Sequence, residues 1–235
     1  MIAVILFIQA AVFGSRLWMV PDVHTKPKSV KNEYIFSRTY IKQVLVMIML
    51  MVLQQLSGIG ILLGQLSRIL SGIGLNIESL FQSIIFNFVG VISSFIAAFI
   101  SDTIGTRYMW PFSAFGLCIG LVPYSVTLKI ELPIWVLSLV LFIYFLFFGL
   151  GTGPIPWYVC GTFFPEEVRI ESAAICICTH TFLSPILDVF WKAMYQNLSE
   201  FGEIIFSSLI CFLSIILGFL IPVENIEKFD TITII

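Results

Sequence analysis

Six long apolar runs set the limits on how this chain can fold. They cover residues 42–64, 80–100, 108–128, 132–159, 170–193 and 203–221. Each run is close to the roughly 20 residues that an α-helix needs to cross a bilayer, and each is too long and continuous for the strands of a membrane barrel. The sequence therefore predicts an all-α, multi-pass integral membrane protein. It does not distinguish the plasma membrane from an internal membrane.

The composition excludes several classes of function. The chain is 59% hydrophobic and 11% charged, whereas about 25% of a soluble domain is charged. A net charge of −2 with no basic cluster argues against nucleic acid as a partner. The residues offer no nucleophile–base set, and the five cysteines lie in apolar runs without zinc-ligand spacing. We therefore expect no enzyme, no metal and no other cofactor.

The polar and apolar stretches divide the chain into four parts. Residues 1–15 are apolar but too short to span, at 1.5 Å per residue, the roughly 30 Å hydrocarbon core, so we interpret them as the remnant of a preceding transmembrane helix. Residues 16–41 form a polar linker, 42–222 a six-helix transmembrane bundle, and 223–235 a tail. With a cytoplasmic linker, all of the 12 Lys and Arg residues except Arg68, Lys129 and Lys192 lie inside. The positive-inside rule therefore predicts a cytoplasmic linker and tail.

The fourth apolar run contains a predicted helix break. Gly151, Gly153, Pro154 and Pro156 follow one another within a few residues. Glycine weakens a helix, and proline removes a backbone donor. Because an unpaired carbonyl group in hydrocarbon costs several kcal/mol, we expect this segment to face protein or water. Broken membrane helices of this kind are where transporters place their binding sites.

Two neighbouring amides in the first run suggest a polar site. Gln54 and Gln55 are followed by Gly58 and Gly60, which allow the helix to bend or unwind. A sugar hydroxyl group both donates and accepts hydrogen bonds, as an amide does, so the two match chemically. The alternative is a packing role, in which amides and small residues join neighbouring helices. For the lone His180 in the fifth run, a packing role is more typical than a ligand role.

Charged residues cluster in two predicted inner turns. Asp102 and Arg107 lie in the turn after the second run, and Glu166 and Arg169 lie in the turn after the fourth. Such charges act as a gate if their ion pairs break and re-form while the protein changes conformation. The alternative is that they only reflect topology, since short inner loops carry positive charge in any membrane protein.

Four motifs together resemble a known family. They are QQLSGIG at 54–60, DxxGxR at 102–107, GxGPIPW at 151–157 and FPEEVR at 164–169. In this order, separated by whole spans, they are similar to the C-terminal half of the sugar porters of the major facilitator superfamily. The resemblance runs from about residue 41 to the end of the chain. It implies the second half of a fold in which two six-helix halves hold the substrate between them.

The resemblance also implies roles for individual residues. Gln54 and Gln55 match the sugar-binding amides of the family, and Trp157 matches the tryptophan that lines the site beside the helix break. His180 stands where the family has an asparagine that borders the sugar. Asp102, Arg107 and Arg169, already noted as charged turn residues, match part of the inner charge cluster.

Several positions depart from the family pattern. Gly60 replaces an asparagine that binds sugar, residues 63–65 replace a Phe-Tyr-Tyr run, and Thr162 replaces a glutamate of the inner charge network. Gly90 falls where the family has another asparagine, and Val223 removes an acid from the tail motif. Each missing polar contact would weaken sugar binding by about 0.5–1.5 kcal/mol. We therefore expect an altered site.

Two functions stay open on the sequence. The first is alternating-access transport of a hexose-like sugar by a truncated or partial chain, as a uniporter or a proton symporter. The second is a non-transporting half-transporter or degenerate fragment that packs with another membrane protein. The expected partners are a small-molecule sugar, the lipid bilayer and either a missing N-terminal half or a second half-chain.

Overall fold

The computed structural model describes residues 35–63, 79–127, 130 and 134–221. All regular structure in these ranges is helical. The helices are α1 (Ile41–Gln54), α2 (Ser79–Ile104), α3 (Thr106–Thr127), α4 (Ile134–Phe147), α5 (Ile155–Thr162) and α6 (Glu166–Gly218). The expected remnant helix at 1–15, the linker up to residue 34 and the tail at 223–235 lie outside the described residues.

Five helical stretches are long and apolar enough to cross a membrane, and the last of them is α6. A straight helix of its 53 residues would reach about 80 Å, far more than one bilayer crossing needs. It is broken at Ser199, where φ is 61° and ψ is 175°. The ring centroids of Phe190 and Phe206 are 5.7 Å apart, so the segments 166–198 and 200–218 pack on each other.

These two segments correspond to the fifth and sixth predicted spans. From the sequence, the fifth span was predicted to end at residue 193 and the sixth to begin at residue 203. The predicted interruption between them is too wide. The helix continues to the break at Ser199, and the Asn197 side chain donates from Nδ2 to the Ala193 carbonyl oxygen at 2.7 Å. No Gly or Pro lies between residues 194 and 201 to end the helix earlier.

Small residues on α2 allow close helix packing. Its inward face carries Gly90, Ser93, Ser94, Ala97 and Ala98, all buried. Between residues 84 and 99, its exposed side chains are all Ile or Phe. This pattern is the reverse of that in a soluble helix, where large apolar side chains are buried. Lipid is as apolar as the bundle interior, and small residues on the buried face let neighbouring backbones approach.

Helix α3 packs against α4 and against the segment 200–218 of α6. Trp110 donates from Nε1 to Ser214 Oγ at 3.0 Å. Near the opposite end of α3, the Tyr124 hydroxyl donates to Glu200 Oε1 at 2.7 Å. Gly120 faces Tyr144 of α4 so closely that an added Cβ would lie 2.9 Å from the tyrosine Cβ. These contacts fix the register of the three helices.

The buried apolar side chains form two clusters, one toward each end of the bundle. One cluster includes Met47, Trp110 and Val159. The other includes Leu62 and Tyr144. The chain passes from the first cluster to the second between residues 53 and 62, from the end of α1 into the residues that follow it. It passes back to the first cluster between residues 145 and 155, from α4 to α5. The segments 53–62 and 145–155 therefore lie between the two apolar clusters.

The close packing of α2 predicts a matched pair of stability effects. An added Cβ at Gly149 would fall on Ser93 Oγ and lie 2.5 Å from the Gly90 carbonyl oxygen, whereas one at Gly60 meets no heavy atom within 4 Å. Gly149→Ala should therefore destabilise the protein by about 1–3 kcal/mol, while Gly60→Ala should be neutral or mildly stabilising. Thermal unfolding of both variants in the same detergent measures the difference. Equal midpoints would contradict the predicted packing.

Candidate functional site

The first helix break positions the two glutamines. A π-helical turn covers Gln55–Ile59 directly after α1, and within it Gly58 has a φ of 92°. Only glycine adopts this conformation easily, and a Cβ here would also lie 2.9 Å from Ser207 Oγ. The Ser57 hydroxyl donates to the Gln54 carbonyl oxygen at 2.7 Å, which satisfies one backbone group of the distorted turn. Such turns are frequent at functional sites.

The second break follows α4. A π-helical turn covers Phe148–Thr152, and the Gly153 N–H group donates to the Phe148 carbonyl oxygen at 2.8 Å. Pro154 caps the N-terminus of α5, and Pro156 lies in its first turn. The sequence analysis treated Pro156 as a lost donor within a helix. In the structure a new helix begins there, so the missing N–H group has no intrahelical acceptor to leave unpaired.

Ser113 of α3 satisfies the backbone at the second break. Its hydroxyl donates to the Phe147 carbonyl oxygen at 2.7 Å and accepts from the Thr152 N–H group at 2.8 Å. Gly151 is buried against the same residue, and an added Cβ would lie 2.6 Å from Ser113 Cβ. The sequence analysis did not identify Ser113, because a serine inside a membrane helix carries no distinctive spacing signal.

A direct hydrogen bond joins the two breaks. Gln54 is 5% exposed, and its Nε2 donates to the Gly153 carbonyl oxygen at 2.6 Å. The acceptor belongs to the turn between the second π-helical turn and α5. The first of the two glutamines and the Gly-Pro segment, which are 99 residues apart in sequence, therefore meet in one place.

The other predicted site residues form a chain of contacts beside this bond. Gln55 Nε2 lies 2.5 Å from His180 Nδ1. The imidazole of His180 packs edge-on against the indole of Trp157, with ring centroids 5.2 Å apart. All three side chains are partly exposed. The arrangement brings Gln55, Trp157 and His180 together beside the buried Gln54.

Two buried polar atoms of these side chains lack a partner among the described residues. They are Gln54 Oε1, an acceptor, and Trp157 Nε1, a donor. More than nine in ten buried polar groups in proteins have a hydrogen-bond partner, so an unpaired donor and an unpaired acceptor at one site need a reason. A solute that both donates and accepts would satisfy them.

Tyr144 and Glu171 also contribute near the predicted residues, and the sequence analysis missed them. The Tyr144 hydroxyl donates to the Ser57 carbonyl oxygen at 3.3 Å, so a phenol in an apolar run supports the first break. Glu171 accepts from the Ile35 N–H group at 3.3 Å and connects α6 to the segment before α1. Glu171 follows the FPEEVR motif by two residues, a signal that the sequence analysis did not use.

The predicted charge cluster lies at helix ends. Asp102 is near the end of α2, although its side chain is outside the described part of the chain. Arg107 lies in the first turn of α3, after Gly105 with a φ of 82°. Glu166 is in the first turn of α6, where an acid is favoured by the helix dipole. No ion pair joins the described side chains of Arg107, Glu166 and Arg169 to one another, and Arg169 Nε is buried without a partner among the described residues.

The five cysteines are unpaired thiols. Within residues whose placement is described, no three His, Cys, Asp or Glu side chains come together as a metal site. A small cleft lined by Ser101, Thr106, Pro154 and Tyr158 lies among α2, α3 and α5.

The chain matches one protein family along nearly its whole length. The profile of the family described as "Sugar (and other) transporter" covers residues 18–234. Facilitated glucose transporter member 3 of solute carrier family 2 from Rattus norvegicus is 25% identical over 243 residues, covering 96% of this chain and 49% of that protein. The facilitated trehalose transporter Tret1 of Apis mellifera ligustica is 24% identical, covering 94% of this chain and 47% of its own length. The chain thus spans about half the length of these relatives.

Solved structures share the fold. A double-tryptophan mutant of XylE superposes with a TM-score of 0.71 at 18% identity, over 81% of this chain and 42% of that one. The proton:xylose symporter XylE bound to 6-bromo-6-deoxy-D-glucose gives a TM-score of 0.67 at 19% identity, over 79% of this chain and 42% of the symporter.

These similarities confirm the predicted fold class and the predicted family. The helices, the apolar spans and the family profile agree on a multi-pass integral membrane protein. The chain belongs to the family described as "Sugar (and other) transporter".

Proposed function

We propose that this chain takes part in the transmembrane transport of a hexose-like sugar by alternating access. The observation that carries the proposal is the unpaired pair Gln54 Oε1 and Trp157 Nε1 beside the two helix breaks. Sugar hydroxyl groups are able both to donate to an amide oxygen and to accept from an indole N–H group. Relatives named as glucose and trehalose transporters support the same class of solute.

The joined helix breaks suit a site that changes shape. Each π-helical turn divides its helix into parts that pack in different apolar clusters, one toward each end of the bundle. A helix part can tilt about such a break without disturbing the other cluster. Because Gln54 bonds to Gly153, movement at one break is transmitted to the other. Occupancy of the site is thereby coupled to the positions of α1 and α5.

We extend the proposal to the charged helix ends. Asp102, Arg107, Glu166 and Arg169 would form an inner latch whose ion pairs close one side of the bundle and open the other. The Nε atom of Arg169 is buried without a partner among the described residues, which supports this role, because a guanidinium group forms its strongest hydrogen bonds with carboxylates.

Alternating access also requires a second wall. Two helical units must rock against each other around the bound solute. The chain spans about half of its relatives, so we propose that it works with a second six-helix unit, either an N-terminal half or another half-chain. The same coverage favours one other candidate, a helical unit that packs with another membrane protein without transporting solute.

Replacement of Gln54 should impair sugar uptake. Gln54→Ala removes both the unpaired acceptor and the bond to Gly153, so we expect kcat/KM for D-glucose uptake to fall by roughly 3- to 10-fold. Uptake of labelled D-glucose into vesicles that contain the full chain measures this. Gln196→Ala, at an exposed amide on α6, is the control and should leave uptake unchanged. Wild-type uptake no faster than in vesicles without the chain would favour the non-transporting candidate.

The indole N–H group should matter more than the ring. Trp157→Phe keeps an aromatic surface against His180 but removes the unpaired donor, so KM for D-glucose should rise by about 2- to 10-fold with little change in kcat. Trp191→Phe is the matched control, since Trp191 packs against Phe190 and Phe206 away from the glutamines. If both variants shift KM equally, the indole of Trp157 is not a specific contact.

A further inference from the structure

We propose that His180 is a positioning residue that fixes the amide of Gln55, and that it thereby makes the site select solute groups that donate hydrogen bonds. The inference rests on the proposed function, because it concerns how the same site distinguishes one polyol from another. It begins from the observation that both glutamines use their amide nitrogens to bind the protein itself.

The orientation of Gln54 is set by its partner. The Gly153 carbonyl oxygen can only accept, so the amide atom 2.6 Å from it must be the nitrogen. The oxygen of the same amide is then the end without a partner. Rotation of the amide by 180° would bring two oxygens together and is excluded while this bond exists.

The orientation of Gln55 depends on the tautomer of His180. A hydrogen bond from Gln55 Nε2 needs the lone pair of Nδ1, so the imidazole must be neutral with its proton on Nε2. The opposite tautomer would require the Gln55 oxygen at the same position. Contact with the indole of Trp157 restrains the imidazole plane, and a restrained ring holds the amide in one orientation.

The consequence is a site whose amide oxygens are the groups left for the solute. The amide nitrogens of Gln54 and Gln55 each donate one hydrogen to the protein. This bond also fixes the direction of the second hydrogen on the same nitrogen. The indole N–H group of Trp157 remains as a free donor. A hydroxyl group matches this set. A fluorine atom in place of the hydroxyl group cannot donate a hydrogen bond. The fluoro analogue should therefore bind almost as weakly as the deoxy analogue, which has a hydrogen atom at that position.

Transport competition tests the selectivity. Vesicles with the full chain take up labelled D-glucose in the presence of its deoxy and deoxyfluoro analogues at each ring position. For the wild type, at least one position should give fluoro and deoxy analogues with equal inhibition constants, both at least about fivefold weaker than glucose. Fluoro analogues that inhibit as well as glucose at every position would overturn the proposal.

Variants of His180 separate positioning from general damage. In His180→Ala, the amide of Gln55 is free to rotate and to donate a hydrogen bond to fluorine. At the sensitive position, the fluoro analogue should then inhibit uptake with an inhibition constant at least about threefold lower than that of the deoxy analogue. His180→Asn restores an acceptor near Nδ1 and should keep the wild-type ratio, as should Thr181→Ala at the neighbouring exposed position. A lower overall rate with an unchanged ratio in His180→Ala would refute the positioning role.

Nitrogen NMR tests the tautomer without relying on transport. The chain has 2 histidines, so His24→Asn leaves His180 as the source of the imidazole signals in a nanodisc sample. We expect a protonated Nε2 and an unprotonated Nδ1 at neutral pH. A protonated Nδ1 would overturn the inference. If the wild type takes up no D-glucose, the proposed function and its selectivity fail together, while the NMR result still decides the positioning of Gln55.

Discussion

The hydrogen bond from Gln54 to the Gly153 carbonyl oxygen is the interaction on which the site depends. In hydrocarbon, an interrupted helix is tolerated only where other groups satisfy its freed backbone atoms. Here Gln54 and Ser113 supply those groups from neighbouring helices. The same side chain that stabilises the second break lies at the start of the first. Gln54 therefore connects the two breaks. Together they place polar groups between the two apolar clusters.

Small residues make this arrangement possible. Gly149 and Gly151 let the second break lie directly against α2 and α3, at distances that no larger side chain permits. Ser93, Ser94 and Ser101 of α2 bond back to their own helix, as Ser94 does to the Gly90 carbonyl oxygen at 2.8 Å. They therefore fill the interface without unpaired hydroxyl groups. Among the side chains around the breaks, Gln54 Oε1, Trp157 Nε1 and Ser207 Oγ are buried without a partner in the described part of the chain.

Sequence reasoning found the elements that follow from local composition. Apolar runs gave the spans, and the Gly-Pro cluster at 151–156 marked the region of the second break. It was less informative where geometry depends on tertiary contacts. Pro111, Pro123 and Pro185 lie inside helices, while the sharpest break of α6 is at Ser199. Proline therefore indicates a break here only together with glycine, as at 151–156, where the close packing needs residues without side chains.

The site residues were named from the family resemblance, but their connections were not predictable. Spacing in the sequence cannot show that Gln55 meets His180 or that Gln54 meets Gly153, because these contacts join helices far apart in the chain. Ser113 and Tyr144 were missed for the same reason. A hydroxyl group in an apolar run becomes recognisable only when the backbone atom that it satisfies is known.

The exposed faces of the bundle differ in a way that bears on the second wall. On α3, the exposed side chains at 112, 115, 119 and 122 are Phe, Phe, Ile and Val, which suit lipid. The segment 166–198, which carries His180, exposes the charged side chains of Asp188 and Lys192 among apolar ones such as Phe182 and Val189. Charged groups facing lipid near the bilayer centre are costly, so such residues normally face protein or water. The two exposed charged side chains on this segment support the proposal that a second helical unit lies opposite the site, with the solute between the two.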